Sequence, residues 1–411
     1  MANILISFFS STSEDKLLIF YESFMRSLEE NGNNVKYIVT NDFLNYAWNG
    51  DNILKDNINS KALEDEINKF QPELCFAFNN SIPSKITQIL ECPILLWHSD
   101  VFEYFNAKKE IKNNPNRYYY ICPFDNDIVT IKKELLVKEN QILNIIPATG
   151  IKKEEKKVAQ NISFIGSMFH AGDIQGKLRH ISNPDRLDAV LKRINNDSSI
   201  DYKKILEEEN CSYISSFVTR EDCLAISSVQ SRNHTLSMLT DLGLKIFGKG
   251  EYFNWLDIAT ILPAVAMCYK NKNVFSLKHN QDIYNSSKIS INISHAQAQD
   301  GFPWRVFDIL ASNSCLISDK KDGLIDFCKG YVDIPMYENP YEARKLCKKL
   351  LKDDSLRRDI VNASQKCIND KGRWVHRFRD IQDVIGITLV NIQNSVGNIS
   401  QLKSLDFIKS N

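Results

Sequence analysis

Residues 284–319 read YNSSKISINISHAQAQDGFPWRVFDILASNSCLISD, and this stretch decides the fold. Ser290 to Ile293 is a short β-rich run, Ser294 to Pro303 is polar and broken by Gly301 and Pro303, Trp304 to Ala311 has helical spacing, and Cys315 to Ser318 is a second strand. A strand, helix, strand order of this length forces a crossover between parallel strands. In such sheets ligands sit outside the carboxyl ends of the strands, where the loop and the helix start lie. Ser294, His295, Gln297, Asp300, Gly301 and Arg305 are therefore expected to line a ligand cleft.

Arg305 and Asp308 are three residues apart and share one helix face, while Val306, Phe307, Ile309 and Leu310 supply the face that packs on a sheet. A helix start attracts anions, and a permanent cation beside it strengthens the preference. A diphosphate or phosphate monoester fits there, with Asp308 one turn deeper to accept hydrogen bonds from ribose hydroxyls. The spacing is equally that of an Arg–Asp pair on a solvated helix face.

Working outward, 411 residues suit two domains rather than one core. Lys+Arg and Asp+Glu are both 51, so the net charge is zero, which argues against a general nucleic-acid binder. Ten cysteines occur without a C-x-x-C pair, mostly in apolar runs, which fits buried free thiols in a reducing cytosol and suggests neither a zinc site nor a disulfide framework. MANILISFF lacks a basic n-region and meets polar SSTSED at once, so it reads as a first strand rather than a signal peptide. No apolar run reaches membrane-spanning length. A cytoplasmic location is expected, compatible with docking at the inner face of the membrane.

The first domain, residues 1–150, opens β-α-β. Asn3 to Phe9 is a strand, Thr12 and Asp15 offer a capping box, a helix runs to Asn31-Gly32, and Val35 to Val39 is the second strand. No G-x-G-x-x-G separates strand from helix, so a dinucleotide cofactor is not expected. Further strands are readable at Leu74–Phe78, Ile94–Trp97 and Tyr118–Cys122, each followed by a polar cluster. These clusters, among them Asn79-Asn80-Ser81 and His98-Ser99-Asp100, fall on one rim of the sheet. Pro147 to Gly150 and the charged KKEEKK after it read as a linker. Beyond it, Asn161 to Gly166 and Leu244 to Phe247 are strands, the second ending in Gly248-Lys249-Gly250.

The pattern INISHAQAQDGFPWRVFDILASNSCLISD resembles the carboxyl-terminal signature of GT-B glycosyltransferases of the CgeB-like kind, in which a strand and loop precede a G-x-x-x-R-x-F-E-type helix. Asp308 stands where that family usually has Glu. Asn313 stands where Gly is common, and Asn tolerates the left-handed helix-ending conformation better than most other residues. The resemblance implies an α/β fold of two Rossmann-like domains, the second a nucleotide-sugar donor domain over 151–385 with a mostly helical insertion at about 170–230, then a carboxyl-terminal helix or tail at 386–411, whose polar residues after about Asn391 are expected to fray. In CgeB-like enzymes the first donor-domain strand leads almost directly into a helix. Here His170 to Gln230 intervenes, and Ser231-Arg232-Asn233-His234 is expected to start that helix.

The chemistry implied is displacement of a nucleotide from an activated sugar, with no metal expected and the nucleotide sugar as co-substrate. Gly166 and Ser167 are similar to the family's F-x-G-S turn, and Gly248 with Lys249 to its second glycine turn. These residues, with Arg232, Ser294, His295, Gly301, Arg305 and Asp308, form the implied donor site, although Lys249 also reads as a solvated surface lysine. The first-domain rim usually holds the acceptor in GT-B enzymes. His98 and Asp100 are candidates there for a general base, and Asp100 is also placed to cap a helix. The implied acceptor is a glycan or lipid-linked glycan, and no nucleic-acid partner is expected.

The insert and the R-x-H-T-L pattern at Arg232 also resemble, architecturally, the retaining β-Kdo transferases of lipopolysaccharide and capsule assembly. That resemblance implies CMP-Kdo as donor, an O-antigen or capsule acceptor, and Asn233 at the position of a carboxylate nucleophile. Asn233 is equally a plain helix N-cap. A UDP- or GDP-sugar enzyme of the CgeB-like kind, or a sugar-binding protein with a GT-B fold and no turnover, stand as alternatives.

Overall fold

The computed structural model describes residues 1–10, 17–46, 50–99, 105–123, 125–168, 184–196, 202–248, 254–272, 274–296, 298, 301–391 and 396–409. The chain divides into two units, Met1–Gly150 with Lys371–Asn411, and Ile151–Asp370. The break after Gly150 falls inside the expected linker.

The first unit contains β1 (Asn3–Phe8), β2 (Asn34–Val39), β3 (Leu74–Phe78), β4 (Ile94–Trp97), β5 (Tyr118–Ile121) and β6 (Ile142–Leu143). The second contains β7 (Gln160–Ile165), β8 (Leu244–Phe247), β9 (Ser287–Asn292), β10 (Cys315–Asp319) and β11 (Met336–Tyr337). A last strand, β12 (Ile399–Leu402), returns to the first sheet. The orders are β12-β2-β1-β3-β4-β5-β6 and β11-β10-β9-β7-β8, and each pair of neighbouring strands in these orders is parallel. Near-continuous apolar runs such as Leu74–Phe78 explain this, because a parallel sheet is covered on both faces. These are two doubly wound α/β domains, as expected of two Rossmann-like domains.

The helix Ile19–Glu30 ends at Asn31-Gly32 as expected, with Gly32 at φ 80°. The capping box expected at Thr12 and Asp15 lies outside the described residues. On one face of the first sheet, Phe20, Phe24 and Trp97 meet the ring of Trp374 or that of Phe378, and Phe78 packs against Phe24 and Trp97. Trp374 Nε1 also donates to Ser23 Oγ at 2.8 Å. Trp374, Phe378 and Ile381 are fully buried, each worth about 1.5–3 kcal/mol over exposure. That burial fixes the helix Trp374–Ile385 in the first unit, whereas the sequence assigned it to the second.

The tail does not fray as expected. Ile399 to Leu402 pairs in register with Val35 to Ile38, and Leu402 and Phe407 are buried in the core on the sheet's other face. The strand is polar because it is an edge, half of which faces water.

In the second unit, the region between β7 and β8 folds as helices Pro184–Asn196, Tyr202–Glu208 and Arg220–Ser237, with a 3₁₀ turn at Ser212–Ser216. Val190, Ile194, Ile205, Ile214, Cys223 and Ile226 give the insert a core of its own. The helix carrying Arg232 does not start near Ser231. It starts at Arg220, where Thr219 Oγ1 accepts from the Asp222 amide at 3.1 Å and Asp222 Oδ2 accepts from the Thr219 amide at 2.9 Å. Asn233 is therefore neither an N-cap nor at a helix start; it lies near the carboxyl end.

Candidate active site

The second sheet passes from β7 outward to β8 and then back past β7 to β9, so its topological switch point lies between the carboxyl ends of β7 and β9. Gly166-Ser167 leaves one of these ends and Ile293-Ser294-His295 the other. Two arginines converge here from different helices. The Arg232 and Arg305 guanidinium carbons lie 5.2 and 5.9 Å from the centroid of the Phe164 ring, which is itself buried in β7. Arg232 donates to Ser167 O, and to Ile293 O at 3.4 Å. It thereby ties both strand ends together.

Glycine makes this convergence sterically feasible. A Cβ on Gly166 would fall 2.8 Å from Phe164 Cζ and 3.3 Å from Arg305 Nη1. Gly248, at φ 99°, approaches the Gly166 backbone so closely that a Cβ there would meet it at 3.2 Å. Trp255 Nε1 donates to Gly166 O at 3.0 Å and holds the turn from the other side.

The electrostatics fit an anion. Arg305 Nη1 is buried with no hydrogen-bond partner among the described residues. Burial holds the Arg305 guanidinium below its ordinary pKa, opposed by Tyr284, Asp319 and Asp308. Arg232 is pushed well below its ordinary value, first by burial and then by the charge of Arg305. His295 is held at about 4 by burial and by Arg232, so it is neutral at pH 7. Two desolvated guanidiniums, one of them depressed by the other, are costly unless a negative group joins them.

Arg305 begins the helix Arg305–Leu310, shorter at both ends than the sequence suggests. Val306, Phe307, Ile309 and Leu310 are buried as expected, but so is Asp308, 7% exposed, so the solvated Arg–Asp pair does not occur. Asn313 does not adopt the left-handed conformation. Its backbone amide donates to Asn285 Oδ1 at 2.9 Å and its side-chain amide to Glu154 O at 2.9 Å.

The loop after β9 is anchored at three points. Asp319 Oδ1 accepts from the Ser294 amide at 3.1 Å, from Ser294 Oγ at 3.0 Å and from Asn292 Nδ2 at 3.1 Å. The Ala296 amide donates to Ser228 Oγ at 2.9 Å, and Lys321 Nζ donates to Ala298 O. Asp319, Ser228, Lys321, Phe164 and Trp255 were not among the expected site residues. Asp319 and Phe164 carried a usable signal, each at or next to the carboxyl end of a strand.

Gly166, Ser167, Arg232, Gly248, Ser294, His295, Gly301, Arg305 and Asp308 thus belong to strand ends, loops or helices of one unit. Lys249, Gln297, Asp300 and Asp100 lie outside the described residues. In the first unit, His98 follows β4, is 2% exposed and is held at about pKa 4 by burial. At that value it is a weak base. Beside it, Asn79 and Asn80 both take left-handed backbone, and Asn79 Oδ1 accepts from the amide and the hydroxyl of Ser99.

Among solved structures, the chain is similar to sucrose-phosphate synthase of Thermosynechococcus elongatus, with 7% identity over 93% of this chain and 97% of that one and a TM-score of 0.57. The β-glucosyltransferase of phage T4 in complex with UDP-glucose matches with 10% identity over 94% and 100% of the two chains, at 0.49. An Anabaena protein, HepE, in complex with UDP and glucose matches with 10% identity over 94% and 100%, at 0.48. No curated protein matches the sequence. Residues 231–383, which carry both arginines and the loop between them, match the family model described as glycosyl transferase-like, and they do so within a GT-B fold.

Proposed function

We propose that the chain is a glycosyltransferase that takes a nucleotide-activated sugar at the carboxyl end of its second sheet and transfers the sugar to an acceptor hydroxyl. The observation that carries this reading is the buried, unpartnered Nη1 of Arg305 beside Gly166 at the switch point. Phosphate oxygens of the nucleotide would accept from Arg305 and face the charge of Arg232. As the sugar–phosphate bond breaks, negative charge grows on the leaving phosphate, and fixed cations in a desolvated site stabilise it most at that moment. The Asp308 carboxylate, buried one turn after Arg305, is suited to accept hydrogen bonds from ribose.

The nucleotide and sugar are tested together. Full-length protein is incubated with UDP-, GDP- and CMP-sugars, CMP-Kdo included, while released nucleotide is measured and thermal stability is followed with each free nucleotide. One nucleotide at a hundred times its dissociation constant should stabilise the protein by about 2.7 kcal/mol, and its sugar should be turned over. Stabilisation by glycan alone, with no nucleotide released, would support a sugar-binding protein instead.

A further inference from the structure

One face of the helix Arg220–Ser237 reaches the loop after β9 twice. Arg232 donates to the carbonyl of Ile293, and Ser228, one turn earlier, accepts the amide of Ala296 at 2.9 Å. His295 lies between these two grips. The Ser228 hydroxyl is 1% exposed and aimed by its own donation to Leu224 O at 2.6 Å, so its lone pair meets the loop in one orientation. The amino-terminal half of the helix, with Cys223, Leu224 and Ile226, belongs to the core of the insert, and Ala296 packs against that same core.

We propose that Ser228 is a positioning residue through which the helical insert holds the His295 loop in its donor-binding shape. The insert would then do more than lengthen the connection between β7 and β8: its core sets the Ser228 helix, and that helix sets the loop. Losing the hydroxyl leaves the Ala296 amide without its acceptor and frees the loop between the Ser294 and Ala298 anchors. The inference rests on the reading of this loop as part of the donor site only for its effect on nucleotide binding.

The test uses ligand-free full-length protein. In Ser228→Ala, amide exchange at Ala296 should speed up at least tenfold while β7 and β9 keep their protection. The His295 imidazole, held low by burial and by the charge of Arg232, which itself feels Arg305 and Asp319, should titrate upward from about 4 toward its ordinary 6.5. Ser228→Thr, which keeps the hydroxyl, should restore both readouts. UDP, GDP and CMP are then titrated into each variant, and the nucleotide that binds wild type should bind Ser228→Ala several-fold more weakly. Should Ser228→Ala fail to fold, wild-type exchange in rising urea decides: Ala296 should open together with Cys223 to Ile226. Unchanged Ala296 exchange and His295 titration in Ser228→Ala, or Ala296 opening independently in wild type, would overturn the proposal. A wild-type protein that binds no nucleotide would count against the donor reading alone, because exchange and titration still judge Ser228.

Discussion

Arg232 and Arg305 stand over the same aromatic ring, that of Phe164, at 5.2 and 5.9 Å from its centroid. Each depends on the ring for a favourable face in a place where water is excluded, and each raises the cost of the other's charge. The pair is therefore sensitive to anything that moves Phe164 or crowds the glycine beside it.

Gly166→Ala tests that sensitivity. The new methyl would meet Phe164 Cζ at 2.8 Å and Arg305 Nη1 at 3.3 Å, so ring and guanidinium must shift. Nucleotide affinity should fall about tenfold while thermal stability drops by about 1–3 kcal/mol, the usual cost of overpacking. Calorimetric titration beside a denaturation curve separates the two effects.

Stability should depend on pH through His98. Its folded pKa of about 4 lies below the ordinary 6.5, so between these values the unfolded chain binds the proton and the folded chain does not. The stabilisation is complete above pH 6.5 and is lost as the pH falls toward 4, by about 3 kcal/mol in all. Urea titrations across this window should show the slope in wild type and a flatter one in His98→Phe.

Asn233→Asp separates two donors. Near the carboxyl end of a helix that starts at Arg220, an acid at 233 should change stability by less than about 1 kcal/mol and leave transfer unaltered. Turnover with CMP-Kdo rising by orders of magnitude in this variant would favour a covalent route at that position.

Phe407→Ala should destabilise the first unit by about 3 kcal/mol. The ring is 7% exposed in the core and lies 6.2 Å from the ring of Phe43. A chemical denaturation curve indistinguishable from wild type would mean that the tail does not hold to the sheet as described.

The parallel sheets were legible because their strands are apolar without alternation and end in polar or glycine turns, and the stretch 284–319 carried both the crossover and the Arg305 helix. Legibility failed where one element serves two partners. The helix Arg220–Ser237 packs Cys223, Leu224 and Ile226 into the insert and Leu236 into the second sheet, so no single apolar stripe marks its length and its start was displaced. β12 failed for the opposite reason: an edge strand needs only one buried face, and its polar residues read as a frayed tail. Of the candidate site, the sequence offered Arg305 and Arg232, which the fold brings to one ring. Its spatial partners, Phe164 and Ser228, were not legible, because contacts across β7, β9 and the insert are set by packing rather than by spacing.

The most direct test is isothermal titration of wild type and Arg305→Ala with the nucleotide that stabilises the protein. Removing the guanidinium should weaken binding by about 1.5–3 kcal/mol, the range for hydrogen bonds to a charged group, with the fold intact by circular dichroism. Unchanged nucleotide affinity in Arg305→Ala would contradict the assignment of the donor site.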